Sequence, residues 1–165
     1  EKSISLNIIG TCNVVLICKK LNIKLVYFST NYVYPGLKGN YKETDPLLPL
    51  NNYAWSKLGG EAAVHMYKNS LILRVCMTEK PFIHKYAFKD VYLNFIFQDE
   101  IINFLPKILN QKGIINVGGQ IRTVYNFAKK FNPKVKKISY KKIKSVNYKK
   151  YMSMNVNKLQ KLIKS

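Results

Sequence analysis

Along the first twenty residues apolar side chains recur at helical spacing. Ile4, Ile8, Cys12 and Val15 fall on one face, which predicts a helix over residues 1–20. The pattern then shortens. "KLVYFST" (24–30) is a compact apolar run ending in hydroxyl residues and predicts a buried strand. A stretch rich in Pro, Gly and Asn follows from Asn31 to Asn52 and reads as loop. "YAWSKLGGEAAVHMY" (53–67) returns to helical spacing, with Trp55, Leu58, Ala62 and Met66 as its expected apolar face. "SLILRVCM" (70–77) predicts a second buried strand. Helix, strand, helix, strand implies α/β architecture with a parallel sheet covered on both faces. Past Thr78 the sequence becomes irregular and aromatic up to Phe97, as in a ligand-side loop region. A helix is expected over 98–110, a strand at "GIINVGG" (113–119), and a helix in "RTVYNFAKKF" with Val124, Phe127 and Phe131 inward. A short strand at "KVKKISY" (134–140) and a capped amphipathic helix in "SMNVNKLQKLI", carrying Val156, Leu159 and Leu162, complete the pattern.

Composition changes this picture little. A chain of 165 residues fits one domain or a piece of a larger one. No apolar run is long enough to span a bilayer, so no membrane role is expected. The formal net charge of +20 is lopsided, with no acidic residue after Glu100, and would attract polyanions. Yet Arg74 and Arg122 are the only arginines, and the bidentate base contacts of duplex readers favour arginine. Together with the abundance of Lys, Asn, Ile and Tyr, this points to compositional drift rather than to nucleic acid. A basic nucleic-acid-binding module is the weakest of three readings. Cys12, Cys18 and Cys76 each lie in an apolar stretch and read as buried free thiols, fitting a reducing, cytoplasmic compartment. Besides them there are only His65 and His84, and no metal site is expected.

The candidate chemistry is a tyrosine four residues before a lysine, and this spacing occurs four times: Tyr34/Lys38, Tyr53/Lys57, Tyr125/Lys129 and Tyr140/Lys144. The first straddles Pro35 and Gly36, so its side chains need not converge. The last lies in a basic strand-to-loop region, and Tyr125 reads as core. Tyr53 and Lys57 instead open a helix that follows a strand ending "FST", and residues at i and i+4 share a helical face. In an open α/β sheet, ligands bind beyond the carboxyl ends of the strands. A lysine ammonium beside a phenol stabilises phenolate and lowers the tyrosine's pKa from about 10. A hydroxyl at the strand end, Thr30 with Ser29 beside it, could hold a carbonyl oxygen against that phenol.

With these residues in view, "YFSTNYVYPGLKGNYKETDPLLPLNNYAWSKLGGE" resembles the active-site stretch of extended short-chain dehydrogenase/reductases. The closest likeness is to the dTDP-4-dehydrorhamnose reductases, whose pattern runs Ser-Thr-Asp-Tyr-Val-Phe, Glu-Thr-Asp, Pro-Leu-Asn and Tyr-x-x-x-Lys. "LILRVCM", "GIINVGG", "RTVYNFA" and "SMNVNKL" resemble later landmarks of that family. The resemblance implies NADPH- or NADH-dependent reduction of the 4-keto group of a nucleotide-linked 6-deoxy sugar. Tyr53 would donate the proton, Lys57 would bind nicotinamide ribose hydroxyls and tune Tyr53, and Thr30 would orient the keto oxygen. Residues 1–77 would be part of a Rossmann-type dinucleotide-binding portion and 78–165 the substrate-binding portion. A homodimer is compatible with this reading.

The departures are specific. Asn31 stands where the reductases usually have a substrate-contacting Asp, and Met77 where many carry a substrate-side Trp. Tyr32 occupies the place of the cysteine that related epimerase-reductases use for proton abstraction, which favours simple reduction over epimerisation. The family's Gly-x-x-Gly-x-x-Gly turn has no counterpart: Gly10 stands alone, Gly59-Gly60 lies within a helix, and Gly118-Gly119 follows a late strand. The resemblance therefore implies a C-terminal portion of a reductase, with an exposed sheet edge. A non-catalytic relative, similar to the regulatory subunit of methionine adenosyltransferase, is the alternative. Gly59 and Gly60 are expected to serve close helix packing, and Glu43 and Asp45 to accept loop hydrogen bonds. His65 is expected to be packed or exposed rather than catalytic. The aromatic stretch 82–97 could line a nucleotide-sugar pocket or simply pack.

Overall fold

The computed structural model describes residues 1–143 and 149–164. Helix α1 consists of a turn at Lys2–Ile4, a π-helical segment at Ser5–Ile9 and an α-helical segment at Gly10–Lys20. Strand β1 (Leu25–Thr30) follows, then a 3-10 turn at Asn31–Val33 and helix α2 (Asn52–His65). Strand β2 (Ser70–Val75) pairs in parallel with β1 on one side and with β7 (Gly113–Val117) on the other, giving the order β1-β2-β7. The register sets Thr30 opposite Val75 and Val75 opposite Val117, so the three carboxyl ends lie level. This is the α/β parallel sheet that the alternation of elements predicts.

Each face of the sheet buries a separate apolar layer. On one face Tyr27 and Ile72 pack with Val15, Cys18, Val64 and Tyr67 from α1, α2 and the α2–β2 turn. On the other face Leu71, Leu73, Ile115 and Val117 pack under α3 (Gln98–Ile108) and α5 (Asn157–Lys164), which supply Ile101, Ile108 and Leu159. Strand β2 is buried at every position, as expected for the central strand of a doubly covered sheet. Among the described residues β1 has no strand on its outer side. Leu16, Ile17, Leu21 and Ile23 of α1 and the following turn are exposed.

The irregular region resolves into short strand pairs. β3 (Met77–Thr78) pairs with β6 (Ile96–Phe97), β4 (Tyr86–Phe88) with β9 (Lys136–Ile138), and β5 (Tyr92–Leu93) with β8 (Arg122–Thr123). Helix α4 (Val124–Phe131) packs Val124 and Phe127 into an aromatic core with Tyr34, Tyr41, Phe82 and Phe97. Phe131 remains about half exposed while its ring meets Phe97 edge-on at 4.6 Å, so it caps this core rather than filling it.

Helix α2 corrects the expected face. Trp55 is 53% exposed and Met66 78% exposed, whereas Ala54, Ser56, Gly60, Glu61, Ala63 and Val64 are buried. The physical cause is close approach. A Cβ on Gly60 would lie 2.3 Å from the Asn7 carbonyl oxygen and 2.5 Å from the Tyr27 hydroxyl, and one on Gly59 would meet Ile8 at 2.9 Å. Small residues thus form the inner face, and size, not hydrophobicity, decides which way the helix turns. Lys144, of the fourth Tyr/Lys pair, and part of the basic stretch 134–150 lie outside the described residues.

Candidate functional site

The carboxyl ends of β1 and β2, the start of α2 and the β3–β6 pair enclose an open cavity of about 410 Å³. Thr30, Asn31, Tyr53, Lys57 and Met77 all line it, so the five residues singled out from sequence come together. Each is brought there by a regular element. Thr30 ends β1, is buried, and its Oγ1 accepts a hydrogen bond from the Tyr32 N–H at 3.3 Å. Asn31 is buried and its carboxamide donates to the Met152 carbonyl at 3.4 Å. Asn51 caps α2, its Oδ1 accepting from the Ala54 N–H at 2.8 Å, which fixes the first turn carrying Tyr53. Met77 is 38% exposed at the start of β3.

The two other tyrosine–lysine pairs that are fully described do not converge on the cavity. Tyr34 is fully buried, while Lys38 reaches outward to Asp45 at 3.1 Å. Tyr125 packs partly buried against the aromatic core, and Lys129 is exposed. His65 is exposed. Glu43 and Asp45 serve as acceptors, from the Asn116 N–H and the Lys42 N–H, both at 3.0 Å.

Electrostatics at the pair differ from the simple expectation. Burial raises the Tyr53 phenol above its ordinary range. Burial also lowers the Lys57 ammonium, against an opposing attraction from Glu61. The ammonium lies 4.1 Å from the centroid of the Tyr27 ring. In this arrangement the lysine charge is held by an aromatic face, and desolvation governs the phenol.

Beneath the cavity runs a buried polar chain that sequence inspection missed. Ser29 donates to Glu61 at 2.6 Å, and Arg74 donates to the same carboxylate from Nε at 3.0 Å and Nη2 at 2.5 Å. Arg74 Nη1 donates to the Tyr34 hydroxyl at 2.7 Å, which in turn donates to Asn116 Oδ1 at 2.9 Å. Glu61 and Arg74 are 3% and 2% exposed, and the described residues contain no buried side-chain polar atom without a partner. The network ties β1, α2, β2 and β7 together, starting from Ser29 next to Thr30 in the chain. A Glu inside an otherwise small-residue helix face and an Arg inside the apolar run "LILRV" are the signals that could have revealed it.

A second cavity of about 460 Å³ adjoins the first and shares Tyr32, Met77, Thr78 and Phe95 with it. Phe82, His84, Lys85, Tyr86 and Phe88 contribute most of its ring and cationic lining. The aromatic stretch both packs and lines a cavity: Phe82 and Phe97 are core, and Phe82 also faces this cavity. The described residues contain no cluster of His, Cys, Asp and Glu suited to a metal ion, and no helix long and apolar enough to cross a membrane.

Known proteins share this fold. A family model described as the RmlD substrate binding domain matches residues 1–78. A dTDP-4-dehydrorhamnose reductase of Burkholderia thailandensis is 49% identical over 47 residues, which is 28% of this chain and 16% of that enzyme. The crystal structure of a hypothetical dTDP-4-dehydrorhamnose reductase from Sulfolobus tokodaii superposes with a TM-score of 0.84 at 27% identity, over 98% of this chain and 66% of that one. The Bacillus anthracis dTDP-4-dehydrorhamnose reductase, solved in complex with NADP, shares the fold with a TM-score of 0.79 at 23% identity, over 93% of this chain and 63% of that one. The chain is thus similar to dTDP-4-dehydrorhamnose reductases, and it spans somewhat under two thirds of the length of these solved relatives.

Proposed function

We propose that this protein contributes the catalytic and substrate-binding portion of an NAD(P)H-dependent nucleotide-sugar 4-ketoreductase of the short-chain dehydrogenase type. The observation that carries the reading is the convergence of Thr30, Asn31, Tyr53, Lys57 and Met77 on one open cavity at the carboxyl ends of the parallel strands. In this reading residues 1–77 form part of the dinucleotide-binding portion and residues 78–165 the substrate portion.

The donor set fits the nicotinamide–ribose end of a dinucleotide. A hydroxyl, an ammonium and a carboxamide line a cavity open enough to admit a ring and a sugar. The glycine-rich strand-to-helix turn that would cradle the pyrophosphate is not among the residues of this chain. Lys57 and Tyr53 would hold the ribose hydroxyls. When bound, the reduced nicotinamide supplies hydride to the keto carbon. Thr30 Oγ1 orients the keto oxygen, and the Tyr53 phenol gives its proton to that oxygen as it becomes a hydroxyl. Burial favours the neutral, proton-bearing form of this phenol. Asn31 offers the sugar a carboxamide in place of a carboxylate, and Met77 a thioether in place of an indole. The adjoining aromatic cavity, with Lys85 and His84 at hand, suits the nucleotide and its phosphates.

The test is oxidation of NADPH and of NADH that depends on a dTDP-linked 4-keto-6-deoxyhexose, measured for the protein and for Tyr53→Phe. Ketone-dependent oxidation that Tyr53→Phe abolishes supports the reading. Oxidation indifferent to that substitution rules out Tyr53 as donor, and none at all with a well-folded protein that binds NADPH or NADH favours a non-catalytic binding role.

A further inference from the structure

The seat of Lys57 is built with more care than a side chain at rest requires. Tyr27 lies on β1, three residues before Thr30, with its ring buried against α1 and α2. Its hydroxyl donates to the Lys57 backbone carbonyl at 3.0 Å and also meets the Thr11 side chain. The ring of the same residue lies 4.1 Å below the Lys57 ammonium. One tyrosine therefore grips both ends of one lysine. The grip depends on Gly60, because any Cβ there would lie 2.5 Å from the Tyr27 hydroxyl.

The carboxylate one turn along the helix attracts the ammonium without bonding to it. The Glu61 oxygens are taken up by Ser29 and Arg74 on the buried side of α2. Among the described residues Lys57 forms no ion pair. A half-buried ammonium with no anionic partner is drawn to the negative face of an aromatic ring, and the attraction grows as water is excluded.

We propose that Tyr27 is a positioning residue for Lys57, its ring seating the ammonium and its hydroxyl fixing the backbone beneath it. The strand that carries Thr30 to the cavity thereby also sets where the lysine's charge lies. A displacement of β1 moves hydroxyl and ammonium together, so their separation is preserved without a direct bond between them. The bearing of this on catalysis rests on the reductase reading; the seat itself does not.

The experiment observes the lysine directly. Protein carrying ¹³C-labelled lysine is studied by proton–carbon correlation NMR, and the Lys57 ε-methylene peak is assigned by its loss in Lys57→Arg. The expected result is an upfield ring-current shift that sets this peak apart from the exposed lysines. Tyr27→Phe keeps the shift, since the ring remains, and Tyr27→Leu abolishes it. A wild-type Lys57 peak lying among the exposed lysines would overturn the proposal, whether or not either variant folds. So would a shift that survives in folded Tyr27→Leu. Neither readout involves ketone reduction, so an inactive protein with the shifted peak would count against the enzyme reading alone.

Discussion

The parallel sheet and the region of short strands are held together by different means. In the first, long parallel strands are locked by a buried ionic chain from Ser29 through Glu61, Arg74 and Tyr34 to Asn116 of β7. In the second, two- and three-residue strands are held by rings: Phe97, Phe127 and Phe131 meet at 4.6–5.3 Å. Asn94 adds a bracket there, donating to the Met154 carbonyl and accepting from its N–H, both at 3.1 Å. Directional bonds fix atoms at defined distances, which proton transfer demands. Packed rings fix a shape while tolerating small slides, which suits a cavity that needs only to fit.

The contrast can be broken most forcefully at its ionic end. Arg74→Met leaves the Glu61 carboxylate buried without its cation, and a loss of about 3–5 kcal/mol in denaturant unfolding is expected. Replacing both partners with apolar residues of similar volume should recover much of that loss, because the uncompensated charge is then gone. In the apolar layer of the same portion, Leu73→Ala should cost about 2–5 kcal/mol, being fully buried in the central strand. Phe131→Ala in the aromatic portion should cost only about 1–2 kcal/mol, since half of that ring already meets water. Equal losses at Leu73 and Phe131 would erase the distinction between the two portions.

A weaker effect separates the portions by pH. Burial, then the Glu61 charge, pushes the Tyr27 phenol up to about 12 from its ordinary value near 10. The folded state therefore favours the neutral phenol, and the unfolded chain ionises first. This contribution is fully present below pH 10 and is lost as the pH rises through 12. Unfolding measured across that window should show a falling stability whose slope is shallower in Tyr27→Phe. The smallest effect is expected on the outer face of α2, where Met66→Lys should change stability by no more than about 0.5 kcal/mol. A larger loss would restore the inward face that hydrophobic spacing alone predicts.

Much of the architecture was legible in the sequence because local signals agreed with tertiary packing. "KLVYFST" and "SLILRVCM" read as strands since a doubly covered parallel sheet needs continuous apolar runs. That Tyr53 and Lys57 line one cavity was legible because residues four apart on a helix must share a face, whatever the rest of the chain does. Helix α2 misled because its inner face is built from Ala54, Gly60, Ala63 and a charged Glu61, and no hydropathy pattern marks close approach or a buried ion pair. The short pairs of 77–97 were hidden for another reason. Strands of two or three residues have no periodicity to detect, and their partners lie far along the chain, as Tyr92 with Thr123 and Tyr86 with Lys136.

The most direct test of the central claim is the rate of NADPH or NADH oxidation in the presence of a dTDP-linked 4-keto-6-deoxyhexose, with Tyr53→Phe as control. If Tyr53 gives the proton at this cavity, the substitution removes about a hundredfold or more of kcat and leaves the unfolding curve unchanged. An equal rate in Tyr53→Phe would contradict that assignment and empty the cavity of the role given to it.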